Sequence, residues 1–329
     1  MSEPSRTPAT GRPGKLIRAA VAVAIVVFAA WLLNRALGSE GWRSVGARLE
    51  RASPLFLALA VAATLCGYTV WGVRWLLILR PVAPVPWWPA QKALMTSIFV
   101  NTVVPFARSL GGLVRAAALG RSRGIPVGSL YGPTLIDQIG YSAVSVSLGA
   151  LSVPFALWGG GAGRGRTVVF SVVAAVVVIC VVLVVRGRRE DLLLWVRSRI
   201  PAAAQSVEQA VGAARIVMLR PATWSVIPIG GSAVWLCNVL TFLLAGRAVG
   251  AGFGLGGAAA AWSLGSIAGV ASGTPGGIGT TETAAIVPLV AAGVPAAEAL
   301  AAVLLARLIQ YITAIVLGGA CFLSETAKR

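Results

Sequence analysis

Residues 270 to 293 read VASGTPGGIGTTETAAIVPLVAAG, and this stretch decides the fold. It sets Pro275, Gly276, Gly277 and Gly279 beside a carboxylate, Glu282, within a region from 248 to 306 that holds no Lys or Arg. A helix cannot run through Pro-Gly-Gly-x-Gly, because proline lacks the N–H donor and clashes with the preceding turn while repeated glycine favours turns. The backbone therefore breaks in the middle of apolar sequence. At membrane depth such a break is tolerated only where protein or a water-filled cavity surrounds the freed peptide groups. The stretch reads as the turn of a re-entrant hairpin and as a candidate site; the plainer alternative is an ordinary turn between helices.

The rest of the chain has a matching composition. Of 329 residues, 57% are hydrophobic and 12% charged, with a mean hydropathy of +0.84, far more apolar than a soluble domain. The chain reads as an all-α integral membrane protein. Its net charge of +18 is carried mostly by arginines scattered between apolar runs. That pattern suits loops on anionic lipid surfaces and speaks against a nucleic-acid partner. Cys66, Cys180, Cys237 and Cys321 stand singly inside apolar runs and read as core thiols, with neither a disulfide framework nor a metal site indicated. The chain has no histidine, the commonest general base and metal ligand, so no catalytic residue, metal or cofactor is expected.

Working outward from the break, the lysine- and arginine-free region is expected on the outer side, and the final span is Ala297 to Leu323, followed by a short cytoplasmic tail, 324–329. Upstream lies a span from Ala222 to Ala245. Before it, Arg186 to Arg220 holds seven arginines against Glu190, Asp191 and Glu208, which marks a cytoplasmic linker. Part of that linker, Leu192 to Leu219, has the spacing of an amphipathic helix on the membrane surface. Thr167 to Val185 and Ser129 to Trp158 are full spans, the second carrying Asp137. The apolar run Ala93 to Val104 is shorter than the roughly 20 residues a crossing needs. It is followed by Pro105, Arg108, Gly111, Gly112 and Arg115, and so reads as a second hairpin, entering from the cytoplasmic side and turning near Pro105 to Gly112. Pro54 to Leu79 is a span, followed by PVAPVPWWPA, whose Trp87 and Trp88 read as interfacial anchors. Leu16 to Leu33 reads as an uncleaved first span after a disordered tail, 1–15. The expectation is one membrane domain over 16–323, with six spans and two re-entrant hairpins, in the plasma membrane with both termini cytoplasmic.

An internal repeat follows. At an offset of 169 residues, Gly124-Ile125-Pro126 falls on Gly293-Val294-Pro295, Leu135 on Leu304, and Leu148-Gly149 on Leu317-Gly318. Repeat one covers about 54–158 and repeat two about 222–323, with the basic linker 186–220 between them. Hairpins entering from opposite sides in corresponding halves are the pattern of inverted-repeat transporters, whose sites lie at the midplane.

Asn101 to Arg115, with Pro105, Arg108, Gly111 and Arg115, together with TPGGIGTTE and the Gly-Val-Pro stretch running through Arg307, resembles the lysylphosphatidylglycerol synthase transmembrane-region family. The resemblance covers most of the chain from the second span onward. It implies a flippase-type membrane domain, here read as a stand-alone member without the soluble aminoacyl-transferase domain. Pro275-Gly276-Gly277-x-Gly279-x-x-Glu282 fits the family pattern. Gly112 stands where the family usually has an acidic residue, and Asp137-Gln138 where it has a Glu-Arg pair.

The candidate substrate-binding residues are Arg108, Arg115, Asp137, Glu282 and Arg307. Intramembrane carboxylates are costly and usually face a cavity, which marks Glu282 and Asp137. Glu282 has a structural alternative as the cap of the half-helix after the turn, and Asp137 as a hydrogen-bond partner of Gln138, Tyr141 or a serine. Arg108 and Arg115 either hold a lipid phosphate or are loop charges near the inner face. Arg307 sits too deep to snorkel and needs either a lipid phosphate or a pair with Glu282 or Asp137. The reading is a lipid translocator, with membrane lipids as partners and homo-oligomerisation left open. Two alternatives stand beside it: a membrane enzyme or accessory protein of lipid or polyprenyl-phosphate transfer, and a small-solute transporter.

Overall fold

The computed structural model describes residues 39, 41–104, 111–158, 201–271 and 274–326. The tails, the spans read at 16–33 and 167–185, the start of the basic linker, and Pro105 and Arg108 lie outside the described residues. Among those described, the elements are helices alone. They are α1 (41–50), α2 (Pro54–Leu79), α3 (Trp87–Val103), α4 (Gly111–Arg123), α5 (Val127–Trp158), α6 (Pro201–Met218), α7 (Pro221–Ala248), α8 (Leu255–Ala271), α9 (Thr280–Ala291), α10 (Ala296–Thr313) and α11 (Gly319–Thr326). A π-helical turn, Ala314–Gly318, joins α10 to α11.

Proline sets the starts of α2 and α7, with Pro54 and Pro221 in the first turn, where the missing N–H costs nothing. Among the described residues, three segments are long and apolar enough to cross a membrane: α2, α7 and the continuous run Ala296–Glu325. In the two stretches read as hairpins, α3 packs against α4 and α8 against α9. The helical part of the linker, α6, packs against α5. Gly128 and Gly132 make this possible, since a Cβ on Gly128 would lie 2.9 Å from the Gln209 Cβ and one on Gly132 would lie 2.9 Å from the Ala210 carbonyl carbon. Small residues also dominate the larger core, where Ala245, Ala258, Ala261, Ala285, Ala299 and Ala306 let α7 to α10 approach closely around Val239, Phe242, Leu289 and Val303. A second core gathers Trp75, Leu79, Ala93, Ala116, Leu119 and Leu130.

The α3–α4 and α8–α9 helix pairs have their outer termini at opposite ends of the bundle. At one end, Ser53 N–H donates to the Ala248 carbonyl (2.9 Å) and Arg48 pairs with Glu298 (2.7 Å) while reaching the Val249 carbonyl (3.2 Å). The α8–α9 hairpin opens at this end. At the other end Leu77, Arg80, Pro81, Arg220 and Thr223 line one cleft, and Leu79 and Ala83 cluster there with Ala90 of α3 and Ala118 and Leu119 of α4. Trp87 and Trp88, exposed and with ring centroids 5.7 Å apart, mark the same end. The hairpins meet inside: a Cβ on Gly276 would stand 3.5 Å from the Thr102 carbonyl of α3.

Shifted by 169 residues, α2, α3, α4 and α5 fall on α7, α8, α9 and the α10–α11 run, each start matching within about two residues. Both second hairpin helices end in the same left-handed glycine turn. Gly124 has φ 65° and Gly293 φ 89°; Ile125 N–H returns to the Gly120 carbonyl and Val294 N–H to the Leu289 carbonyl, each at 3.0 Å. This is the bond pattern of a helix closed by glycine in the left-handed region.

Cys66, Cys237 and Cys321 depart from the sequence reading, and Cys180 lies outside the described residues. Cys66 is exposed on the apolar surface, Cys237 and Cys321 are only half-buried, and the sulfurs of Cys66 and Cys237 lie 3.9 Å apart as free thiols.

The two-ended arrangement makes a labelling prediction. In a cysteine-free background, Gly254→Cys and Arg220→Cys should react with a membrane-impermeant maleimide from opposite sides of the membrane. Labelling of both from one side would contradict the fold.

Candidate functional site

Two charge clusters are buried in the bundle, one in each half. The first begins on α2, where Trp71, Arg74 and Trp75 lie on adjoining turns of one face. Arg74 can cross to α5 because α7 presents Gly230 alongside; a Cβ there would come within 2.8 Å of the Arg74 Cγ. Arg74 Nε donates to Asp137 Oδ1 at 2.8 Å, while Arg115 Nη1 and Trp71 Nε1 each donate to Asp137 Oδ2 at 3.2 Å. Aromatic faces surround the guanidiniums: Arg115 lies 4.7 Å from the Trp75 ring centre and 5.4 Å from that of Trp71, and Arg74 lies 4.9 Å from that of Tyr141. Arg74, Arg115 and Asp137 are each at most 2% exposed. Arg115 is therefore not a loop charge.

The second cluster is built on the broken stretch. Gly276, Gly277 and Gly279 all have left-handed φ, 58°, 77° and 84°, which only glycine adopts without strain, and they carry the chain from the Pro275–Gly277 turn into α9. Glu282 Oε2 accepts the Gly279 N–H at 2.7 Å, so it does cap the half-helix. Its other oxygen accepts from Arg307 Nε at 2.9 Å. Arg307 also donates to Gln310 Oε1 (3.1 Å), the Gly276 carbonyl and the Tyr311 hydroxyl, and stacks over the Tyr311 ring at 4.5 Å. Gln310 in turn donates to Asn238 Oδ1 at 3.1 Å, and its carbonyl accepts from Tyr68 of α2 at 3.3 Å. The cluster thus ties α2, α7, the hairpin turn, α9 and α10 together.

Four of the five sequence-read site residues fall into these two clusters, Arg115 with Asp137 and Glu282 with Arg307; Arg108 lies outside the described residues. The partners of Asp137 are two arginines and a tryptophan, not Gln138 or Tyr141. Arg307 has a protein counter-ion in Glu282, so an external phosphate is not required to offset its charge. Gly111 begins α4 with the Asn101 amide where a side chain would be, and a side chain at Gly112 would strike the Gln138 carboxamide. Gly112 and Gln138 therefore face one another in one neutral contact.

Sequence reading missed Arg74, Gln310 and Tyr311. Arg74 is six residues from Arg80, close enough to the span's end to pass for an interfacial charge. Gln310 and Tyr311 stand three and four residues after Arg307, the spacing that puts helix side chains together. That periodicity could have found them.

The pattern of the family described as "Lysylphosphatidylglycerol synthase TM region" matches residues 18–318. A protein described as "UPF0104 membrane protein" from Methanothermobacter thermautotrophicus is 31% identical over 138 residues, 42% of this chain. The match spans about a third of that relative's length, 34%.

Proposed function

The chain belongs to the lysylphosphatidylglycerol synthase transmembrane-region family, and from that premise we propose that it is a membrane lipid translocator in which the hairpin turns guard a headgroup path between the leaflets. It acts as a transporter and not as an enzyme, in the plasma membrane, with the Arg80 and Arg220 end cytoplasmic. The observation that carries the reading is the meeting of two hairpins from opposite ends, each beside a buried charge cluster. Hairpins at membrane depth fit an inverted repeat with re-entrant segments, an architecture whose site lies where the repeats meet. Buried intramembrane charge marks a substrate or ion path more often than a structural brace.

Arg115 and Arg307 supply guanidinium forks for a lipid phosphate, and Asp137 and Glu282 answer a cationic headgroup group. In the conformation described, Arg307 is saturated by protein acceptors. A phosphate reaches it by displacing Glu282 or the Gly276 carbonyl, which couples headgroup entry to opening of the hairpin turn.

Arg307→Lys tests this coupling. Lysine keeps a charge for Glu282 but cannot span Gln310, Gly276 and Tyr311 together. Loss of those hydrogen bonds should lower stability by about 1–3 kcal/mol, while lipid flux in reconstituted vesicles should fall at least tenfold. Unchanged flux in the folded variant would contradict the role of Arg307.

A further inference from the structure

The cluster of α2, α4 and α5 is not electrically balanced. Two guanidiniums share one carboxylate, and both Asp137 oxygens are already engaged, Oδ1 by Arg74 and Oδ2 by Arg115 and Trp71. No second Asp or Glu pairs with either arginine among the described residues. Arg74 uses only its Nε. Its Nη1 and Nη2, and the Nε of Arg115, are buried with no hydrogen-bond acceptor among the described residues. Buried donors are almost always paired, and an exception asks for an ion or water. The rings of Tyr141, Trp71 and Trp75 soften the charge, but cation–π contacts of about 0.5–2 kcal/mol each do not replace a counter-ion. The second cluster differs, because Glu282 and Arg307 match one to one and the arginine donates from all three of its nitrogens.

We propose that the Arg74–Asp137–Arg115 cluster is a binding site for one singly charged oxyanion of the phosphate class, held by Nη1 and Nη2 of Arg74 with the Nε of Arg115 beside them. A guanidinium edge presents paired donors at the spacing of two phosphate oxygens. One net positive charge selects a monoanion such as a phosphodiester. A lipid headgroup and free phosphate share this chemistry. Choosing the lipid as the source rests on the translocator reading, whereas the charge count does not.

The test measures the melting midpoint of the purified full chain in uncharged detergent, titrated with dihexanoyl-phosphatidylglycerol, with sodium phosphate, or with uncharged dihexanoylglycerol. Phosphatidylglycerol should raise the midpoint, dihexanoylglycerol should not, and Arg74→Gln should need at least tenfold more ligand for the same rise. Arg74→Lys, keeping charge without the fork, should fall between. A rise with inorganic phosphate but not with the lipid would support the site and name free anion as its source, removing it from the lipid path. No rise with either anion, or equal curves for Arg74→Gln and the unsubstituted chain, would overturn the proposal. Should Arg74→Gln fail to fold, native mass spectrometry of the unsubstituted chain decides: selective retention of phosphatidylglycerol or phosphate over dihexanoylglycerol supports the site, and equal or no retention overturns it.

Discussion

Asp137→Ala should destabilise the folded chain by about 3–5 kcal/mol, the range for removing one partner of a buried ion pair. The carboxylate is 1% exposed and is the shared acceptor of Arg74, Arg115 and Trp71. Its removal leaves two guanidiniums facing each other in a low-dielectric interior with only aromatic rings for company. Asp137→Asn keeps the shape and one acceptor oxygen but loses the charge, so it should retain only a small part of the difference. Arg74→Gln placed on Asp137→Ala should recover part of the loss, because it removes one of the two stranded charges. Denaturation of the detergent-solubilised protein, followed by retention on a sizing column, reads all three. A cost below about 1 kcal/mol, the range of an exposed pair, would mean that the cluster is open to water.

The second large effect concerns transport. Glu282→Gln alone should damage both folding and flux, since the carboxylate caps α9 and neutralises Arg307. The double variant Glu282→Gln with Arg307→Gln separates these roles. Two neutral carboxamides can hydrogen-bond to each other and to Gly279, so the pair should recover most of the stability lost by the single variant. Replacing a buried ion pair with neutral groups is often close to neutral for stability. Lipid flux should nevertheless remain at least tenfold below that of the unsubstituted chain, because the fork beside the hairpin turn, that of Arg307, is gone and Arg115 alone is left to take a phosphate. Recovery of flux along with stability would reduce this pair to a brace for the hairpin turn.

The all-helical character and several helix bounds were legible in residue order. Pro54–Leu79 was read to the residue, and the broken stretch at 270–293 became the second hairpin turn, because proline and glycine act on backbone geometry without needing tertiary partners. The weak 169-residue match proved to mark a shared turn at Gly124 and Gly293, since left-handed φ constrains sequence locally. Partnerships were less legible. That Asp137 meets Arg74 depends on α2, α5 and α7 packing, and on Gly230 leaving room for the arginine stem, which no local pattern encodes. The same limit explains why Arg307 looked short of partners: Glu282 lies 25 residues earlier, across the turn between α9 and α10. Exposed Cys66 and half-buried Cys237 were misread as core thiols because an apolar surface and an apolar interior have the same composition in a membrane protein.

The central claim is lipid translocation, and reconstitution tests it most directly. The purified chain is placed in vesicles carrying a trace of fluorescent phosphatidylglycerol, a membrane-impermeant reductant is added outside, and vesicles loaded with a small fluorescent solute are run in parallel. The account predicts that the reductant quenches probe from both leaflets, that Glu282→Gln with Arg307→Gln restricts quenching to the outer leaflet, and that the solute stays inside. Outer-leaflet quenching alone with the unsubstituted chain, or solute release keeping pace with quenching, would contradict it.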